Sequence, residues 1–288
     1  VPWSHRTNMT APLDFPLDPE FSKLLVHSSA VDMKLVALEI ARDAYPQLDF
    51  AHSLEWIAKR GQELVAPAAR SRNDRALLME LGRCLSGTHG LHGDREAYLS
   101  PEGSYLHRVI ETGVGIPISL SLVYAAVGHE AGIPLTGVAA PRHFLIRYDG
   151  AAETYFVDAF HQGRVLRYDR CLTWLEEITE LSADELEPLL EPASPREIVI
   201  RMLNNLKAIH VQQDRWADAW QVQRRLTALQ PTAYDQRRDL ALVALKSNRP
   251  GLAVDLLEAC LRDCPDDKER RILLQHRQWA EAQLSTLN

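Results

Sequence analysis

Gly115-Ile116-Pro117-Ile118-Ser119-Leu120 lies where the texture of the chain changes, and its reading decides the fold. Gly113, Gly115 and Pro117 punctuate a turn. Proline suits a first helical position, because the N–H it lacks has no intrahelical partner there anyway. The run from Ile118 to Ala131 is mostly apolar, which predicts a largely buried helix, and Gly132 supplies its stop. Three strand-like runs follow: Leu135 to Ala140, His143 to Tyr148 and Thr154 to Phe160. Pro141 and the pair Asp149-Gly150 separate them, the latter a hairpin turn. The expectation is a helix packed on a small antiparallel sheet, within an α+β protein dominated by helix.

Towards the N-terminus the pattern is helical. Ser29 or Asp32 can cap a helix running to Ala44, with Val31, Leu35, Leu38 and Ala41 at three- and four-residue steps, and Pro46 stops it. Ala51 to Leu64 and Asn73 to Leu85 predict two more helices, and Gly87, Gly90 and Gly93 mark a loop. Residues 1–20 hold Pro2, Pro12, Pro16 and Pro19 with little periodicity, which predicts an extended, mobile arm. Met9 is a candidate natural start, with Val1 to Asn8 upstream of it.

Towards the C-terminus, Glu191-Pro192-Ala193-Ser194-Pro195 reads as a linker. Beyond it Pro231 and Pro265, Ala219 and Ala253, Arg215 and Arg249, and Leu206 and Leu240 all obey a 34-residue shift. That period resembles the tetratricopeptide (TPR) helix pair. It covers about residues 196–266, with 267–287 as a capping helix. About two repeats cannot bury their faces alone, so the pair is expected to dock on what precedes it. The chain thus divides into an arm (1–20), a core with a helical N-terminal part (21–192) and a repeat region (196–288).

Composition narrows the function classes. The 288 residues are 46% hydrophobic and 25% charged, which is ordinary for a globular chain, with a net charge of −7 and no basic block. Nucleic acid is therefore a poor partner. No apolar run approaches the roughly 20 residues of a membrane helix. There is no Walker A loop and no Gly-x-Gly-x-x-Gly, so no nucleotide cofactor is expected. Cys84, Cys171, Cys260 and Cys264 are too few for a disulfide scaffold, which points to a reducing cytoplasm. Cys260 and Cys264, four apart on a helix, are expected to be unpaired thiols.

Five segments carry a more specific likeness: Ser104-Tyr105-Leu106, Gly115 to Leu120, Gly132-Ile133-Pro134, Pro141-Arg142-His143-Phe144-Leu145 and Val157-Asp158-Ala159-Phe160. Together they resemble the transglutaminase-like superfamily and, within it, the SirB-type bacterial proteins, which carry such a core ahead of TPR-like helices. The likeness spans about residues 30–285, with its motifs in about 100–166. It implies a papain-like order of Cys at the start of a buried helix, then His, then Asp on neighbouring strands. A helix N-terminus favours a thiolate, His moves the proton, and Asp holds the His tautomer. His143 and Asp158 match the second and third positions, and a hairpin at Asp149-Gly150 would set them side by side.

The first position differs. Aligning the Gly-x-Cys-x-Ser-Leu form of the motif on Gly115 to Leu120 puts Pro117 where the nucleophile would stand, and none of the four cysteines falls near it. Ser119, the nearest hydroxyl, is about 200° further round the helix. Arg142 stands where relatives often have Gly before the His, and Phe160 lies in a turn where they tend to show Asp-Pro-Phe. Tyr105, Arg142 and Phe160 are therefore expected at the cleft, with Tyr98 and Tyr105 packing on the core or on the cleft wall.

The reading is a non-enzymatic protein that binds a protein or peptide, without cofactor or metal. The alternative is an atypical serine hydrolase or acyltransferase using Ser119, His143 and Asp158. His89, His92 and Asp94 are read as a solvated loop rather than a metal site, His107 and His129 as ordinary helix residues, and Trp216 and Trp220 as packing between repeat helices.

Overall fold

The computed structural model describes residues 14–287. Helices α1 (Pro19–Leu25), α2 (Met33–Ala41), α3 (Ala51–Ala69) and α4 (Asp74–Gly82) come first, and a π-type turn, Arg83–Thr88, extends α4. The two-residue strand β1 (His92–Gly93) pairs in parallel with β2 (Val114–Gly115) across two 3-10 turns and α5 (Leu106–Thr112). Then come α6 (Pro117–Glu130) and a four-stranded antiparallel meander of β3 (Thr136–Val138), β4 (Leu145–Asp149), β5 (Thr154–Asp158) and β6 (Arg164–Arg167). Helices α7 (Tyr168–Thr179) and α8 (Ala183–Leu186) cover the sheet's second face. The chain ends in α9 (Pro195–Gln212), α10 (Trp216–Leu229), α11 (Tyr234–Lys246), α12 (Pro250–Arg262) and α13 (Asp267–Leu287).

Local chemistry explains most boundaries. Asp32 accepts from Lys34 N to start α2, and Asn73 accepts from Ala76 N at 2.8 Å to start α4. Ser194 and Glu197 form a capping box ahead of α9, with Pro195 in its first turn. Pro117 opens α6 as expected, and Gly132 (φ 77°) lets Ile133 N donate back to Gly128 O at 2.8 Å.

One apolar core runs through α2, α3, α5, α6 and the inner sheet face, and it continues into Val199, Leu203 and Leu206 of α9 and Val222, Leu226 and Leu229 of α10. The first repeat pair is thus docked on the preceding unit, as two isolated repeats would require. A second core lies between α10 and α13, with Ala219, Leu240, Ala244, Leu257 and Leu273 buried. A third, of Cys171, Leu175, Leu186 and Leu190, packs on Val138, Leu145 and Phe156 of the outer sheet face.

Several expectations change. The strands are shorter than read, β6 was not foreseen, and His143 sits in the turn before β4 rather than opening it, with its N–H donating to Ala140 O at 3.2 Å. The extended arm is corrected in its last part; its first thirteen residues, Met9 included, lie outside the described residues. From Asp14 on the chain is tied down. Glu39 accepts the α1 N–H groups of Glu20 and Phe21 at 3.0 and 2.7 Å, Phe15 meets the Phe21 ring at 4.8 Å, and Asp18 pairs with Arg225 at 2.7 Å.

Candidate functional site

The hairpin of β4 and β5 sets Ile146 opposite Val157, which carries His143 and Asp158 to the same end of the sheet. His143 Nε2 lies 2.9 Å from Asp158 Oδ1, and both residues are buried. Asp158 has further partners. Its Oδ2 meets His161 Nδ1 at 2.7 Å and Arg164 at 3.3 Å, and its Oδ1 accepts the His161 N–H at 3.2 Å. Burial pushes the Asp158 carboxyl up, but the bonds and charges of His143 and His161 outweigh it and hold it below the usual range.

A turn makes this convergence possible. Gln162 (φ 57°) and Gly163 (φ 71°) are left-handed, and Gly163 N donates to Asp158 O at 2.9 Å. A Cβ on Gly163 would meet Gly82 Cα at 2.7 Å, so the turn rests directly on the end of α4. Aromatic rings fix the imidazole. Trp174 of α7 stands edge-on to His143 at 5.1 Å, Phe160 does so at 6.1 Å, and His161 stacks on it at 5.8 Å. The Arg164 guanidinium lies over the Trp174 ring at 4.7 Å.

The first turn of α6 holds no group that attacks. Pro117 has only its ring. Ser119 is 1% exposed, and its hydroxyl donates to Gly103 O at 2.6 Å and accepts the Ile116 N–H at 3.2 Å. It makes no bond to His143 among the described residues, so the Ser119 alternative loses the contact it requires. The chemistry present is an imidazole oriented by a buried carboxylate, with no nucleophile bonded to it among the described residues.

Beside Pro117 opens a cleft of about 210 Å³. Ile116, Pro117, Ile118 and Phe144 form its apolar wall. Tyr98, Asn205, Arg142 and Arg201 supply the polar groups. Arg201 of α9 donates to Ala140 O at 2.8 Å and His143 O at 2.6 Å, pinning the turn that carries the histidine. Arg142 holds a left-handed φ of 58° and donates to Ile178 O at 2.9 Å, at the C-terminal end of α7.

The predicted wall residues separate. Phe160 lies against His143, and Arg142 lies at the cleft. Tyr105 does not; it is buried beneath α9, with its hydroxyl 3.4 Å from His210 Nε2, because α5 turns that ring towards Tyr45. Tyr98 lines the cleft, one of the two places expected for it; sequence reading missed His161, Arg164, Trp174, Arg201 and Asn205. The first two carried a usable signal, lying three and six residues after Asp158 in a tight turn; Arg201 and Trp174 arrive from helices far along the chain.

Among the described residues, two groups bring metal-ligating atoms within 4.8 Å of one another, His143 with Asp158 and His161, and Glu63 with Cys84 and His89. In each the carboxylate already bonds an arginine, Arg164 or Arg60, whose charge opposes a cation. The His89 loop does not gather: His89 Nε2 meets Glu63 at 2.7 Å, whereas His92 Nδ1 meets Gly90 O at 2.8 Å. Trp216 and Trp220 lie under the cations Lys246 and Arg249 at 5.7 and 5.1 Å, between repeat helices. All four cysteines are unpaired.

Comparison with known proteins identifies the family of the chain. Residues 49–204 match the model of the transglutaminase-like superfamily, and residues 206–278 match a tetratricopeptide repeat. A UPF0162 protein of Xylella fastidiosa is 31% identical over 250 residues, covering 80% of this chain and 84% of its own. A UPF0162 protein of Vibrio cholerae is 24% identical over 243 residues, covering 83% and 87%. The mouse F-box only protein 21 is 37% identical over 87 residues, 27% of this chain and 14% of that one. No solved structure matches. The chain belongs to the transglutaminase-like superfamily, with tetratricopeptide-type helices following the family domain.

Proposed function

We propose that this protein is a non-enzymatic binding protein of the cytoplasm, in which a transglutaminase-like core (21–192) and a repeat region (196–288) hold a protein or peptide partner. One observation carries the reading. The first turn of α6, where catalytic relatives place their sulfur, has Pro117, and its nearest hydroxyl is committed to the Gly103 carbonyl. His143 and Asp158 then serve as a hydrogen-bonded brace at the end of the sheet. The repeat region supports the binding half of the reading with a groove of about 300 Å³ along α9, α11 and α13 and the start of α10, where Trp216, Leu242 and Trp279 meet Lys207 and Lys246. Trp279 is 41% exposed there.

The test is hydrolysis of an activated acyl ester by the full chain, with Ser119→Ala and His143→Ala alongside. The binding reading expects the same background rate in all three. Turnover that both substitutions abolish would establish the hydrolase instead.

A further inference from the structure

The cleft beside Pro117 concentrates positive charge on an acidic chain. Arg142 and Arg201 both line it, and no Asp or Glu does. Neither arginine forms an ion pair among the described residues. Arg201 is mostly covered, and burial pulls its guanidinium below the ordinary arginine range, with no neighbouring carboxylate to offset the cost. A covered cation ordinarily has an anion against it. Here two carbonyls use two of its five donors, and the rest of the fork is unspent. Tyr98 and Asn205 line the same cleft as the apolar Ile116, Ile118 and Phe144.

We infer that this cleft seats an organic carboxylate, its charged end on Arg201 and a short apolar tail over Pro117. The inference rests on the binding reading above and deepens it by naming the chemistry of what the cleft holds. Size sets the class. At about 30 Å³ of liquid volume per water, 210 Å³ admits about seven water-sized groups, a short aliphatic acid or the last residue of a peptide chain. Both sources present one carboxylate and one apolar stem. An inorganic anion would leave the apolar wall bare. Arginine suits the role because its planar fork binds a carboxylate through two parallel hydrogen bonds. The left-handed Arg142 adds a second cation at the rim without closing the cleft, since its guanidinium is drawn away to Ile178 O.

The experiment is calorimetric titration of the full-length protein with hexanoate and with hexanamide, and with acetyl-Ala-Leu as the free acid and as the amide. At least one acid is expected to saturate a single site, with its amide about tenfold weaker or more. Saturation by hexanoate identifies a free acid as sufficient; saturation by the peptide acid alone identifies a chain terminus. Arg201→Met should weaken the binding acid by a similar factor while its thermal midpoint stays near that of the wild type. The seat is overturned if neither acid saturates, if acid and amide bind alike, or if a folded Arg201→Met protein binds the acid as the wild type does. Should that variant not fold, the acid–amide contrast on the unaltered protein decides. Ester turnover dependent on His143 would refute the non-catalytic reading and leave the carboxylate seat standing; absent acid binding would do the reverse.

Discussion

Arg225 and Arg201 sit on neighbouring helices and meet opposite fates. Arg225 of α10 is 1% exposed, bonds Asp43 at 2.6 Å and Asp18 at 2.7 Å, and lies against the Phe15 and Phe21 rings at 4.8 and 4.7 Å. Two carboxylates answer its charge through Nε and Nη2, while Nη1 is buried without a partner, and the result is a knot that ties α1 and α2 to the first repeat. Arg201 of α9 is answered by two carbonyls and a Phe144 ring at 5.7 Å, with no carboxylate. The contrast separates a cation used to close a structure from one used to face a cleft.

The largest effect is expected at the closed end. Arg225→Ala strands Asp43, leaves Asp18 to Arg42 alone and should lower stability by about 3 kcal/mol in urea unfolding. A loss under about 1 kcal/mol would show that the knot is ornamental. Next comes Asp158→Asn, which removes the charge that His143, His161 and Arg164 share and should cost about 2–3 kcal/mol at neutral pH. The pH dependence has a definite sign. The folded carboxyl titrates below its usual value of 3.8, so its stabilisation is fully present above that value and is lost as pH falls through the lower, folded one. The gap between wild type and Asp158→Asn should therefore close only in acid below about pH 4; a gap that closes between pH 6 and 8 would assign the stabilisation to a histidine.

Pro117→Cys should place a thiol at a helix N-terminus and raise alkylation by iodoacetamide well above that of the native cysteines, of which Cys84, Cys171 and Cys260 are buried and held above the usual thiol range. Labelling at the wild-type rate would mean that Pro117 does not occupy the nucleophile position of the catalytic relatives. The smallest effect belongs to Arg201→Met. The carbonyls of Ala140 and His143 lose donors, but a poorly compensated cation is removed as well, so the net change in urea unfolding should be within about 1 kcal/mol. A loss as large as that of Arg225→Ala would erase the distinction between the two arginines.

The parts legible in the sequence are those with local causes. Pro117 and Gly132 bound α6 because helix termini have their own backbone chemistry, and the pair Asp149-Gly150 marked the place of a hairpin, closed by the longer loop Gly150 to Glu153, that brings His143 to Asp158. The 34-residue phase foretold the repeat helices because identical packing recurs at equal intervals. What stayed hidden depends on distance along the chain. Arg225 and Asp18 are 207 residues apart, and no pattern within either neighbourhood announces the other. Residues 14–20 read as an arm for that reason. Strand β6, Arg-Val-Leu-Arg, is too short and too charged at its ends to show alternation. Tyr105 was misplaced because a ring beside a family motif can turn either way, and packing against Tyr45 and His210 decides.

Helix α9 has a consequence for how the molecule can change. Its earlier turns present Arg201 and Asn205 to the cleft, and its last two turns present Lys207 and Val211 to the groove among the repeats. One stiff rod therefore has two tenants. A substitution that rolls or slides it to suit one shifts the floor under the other, so the two surfaces cannot be tuned independently.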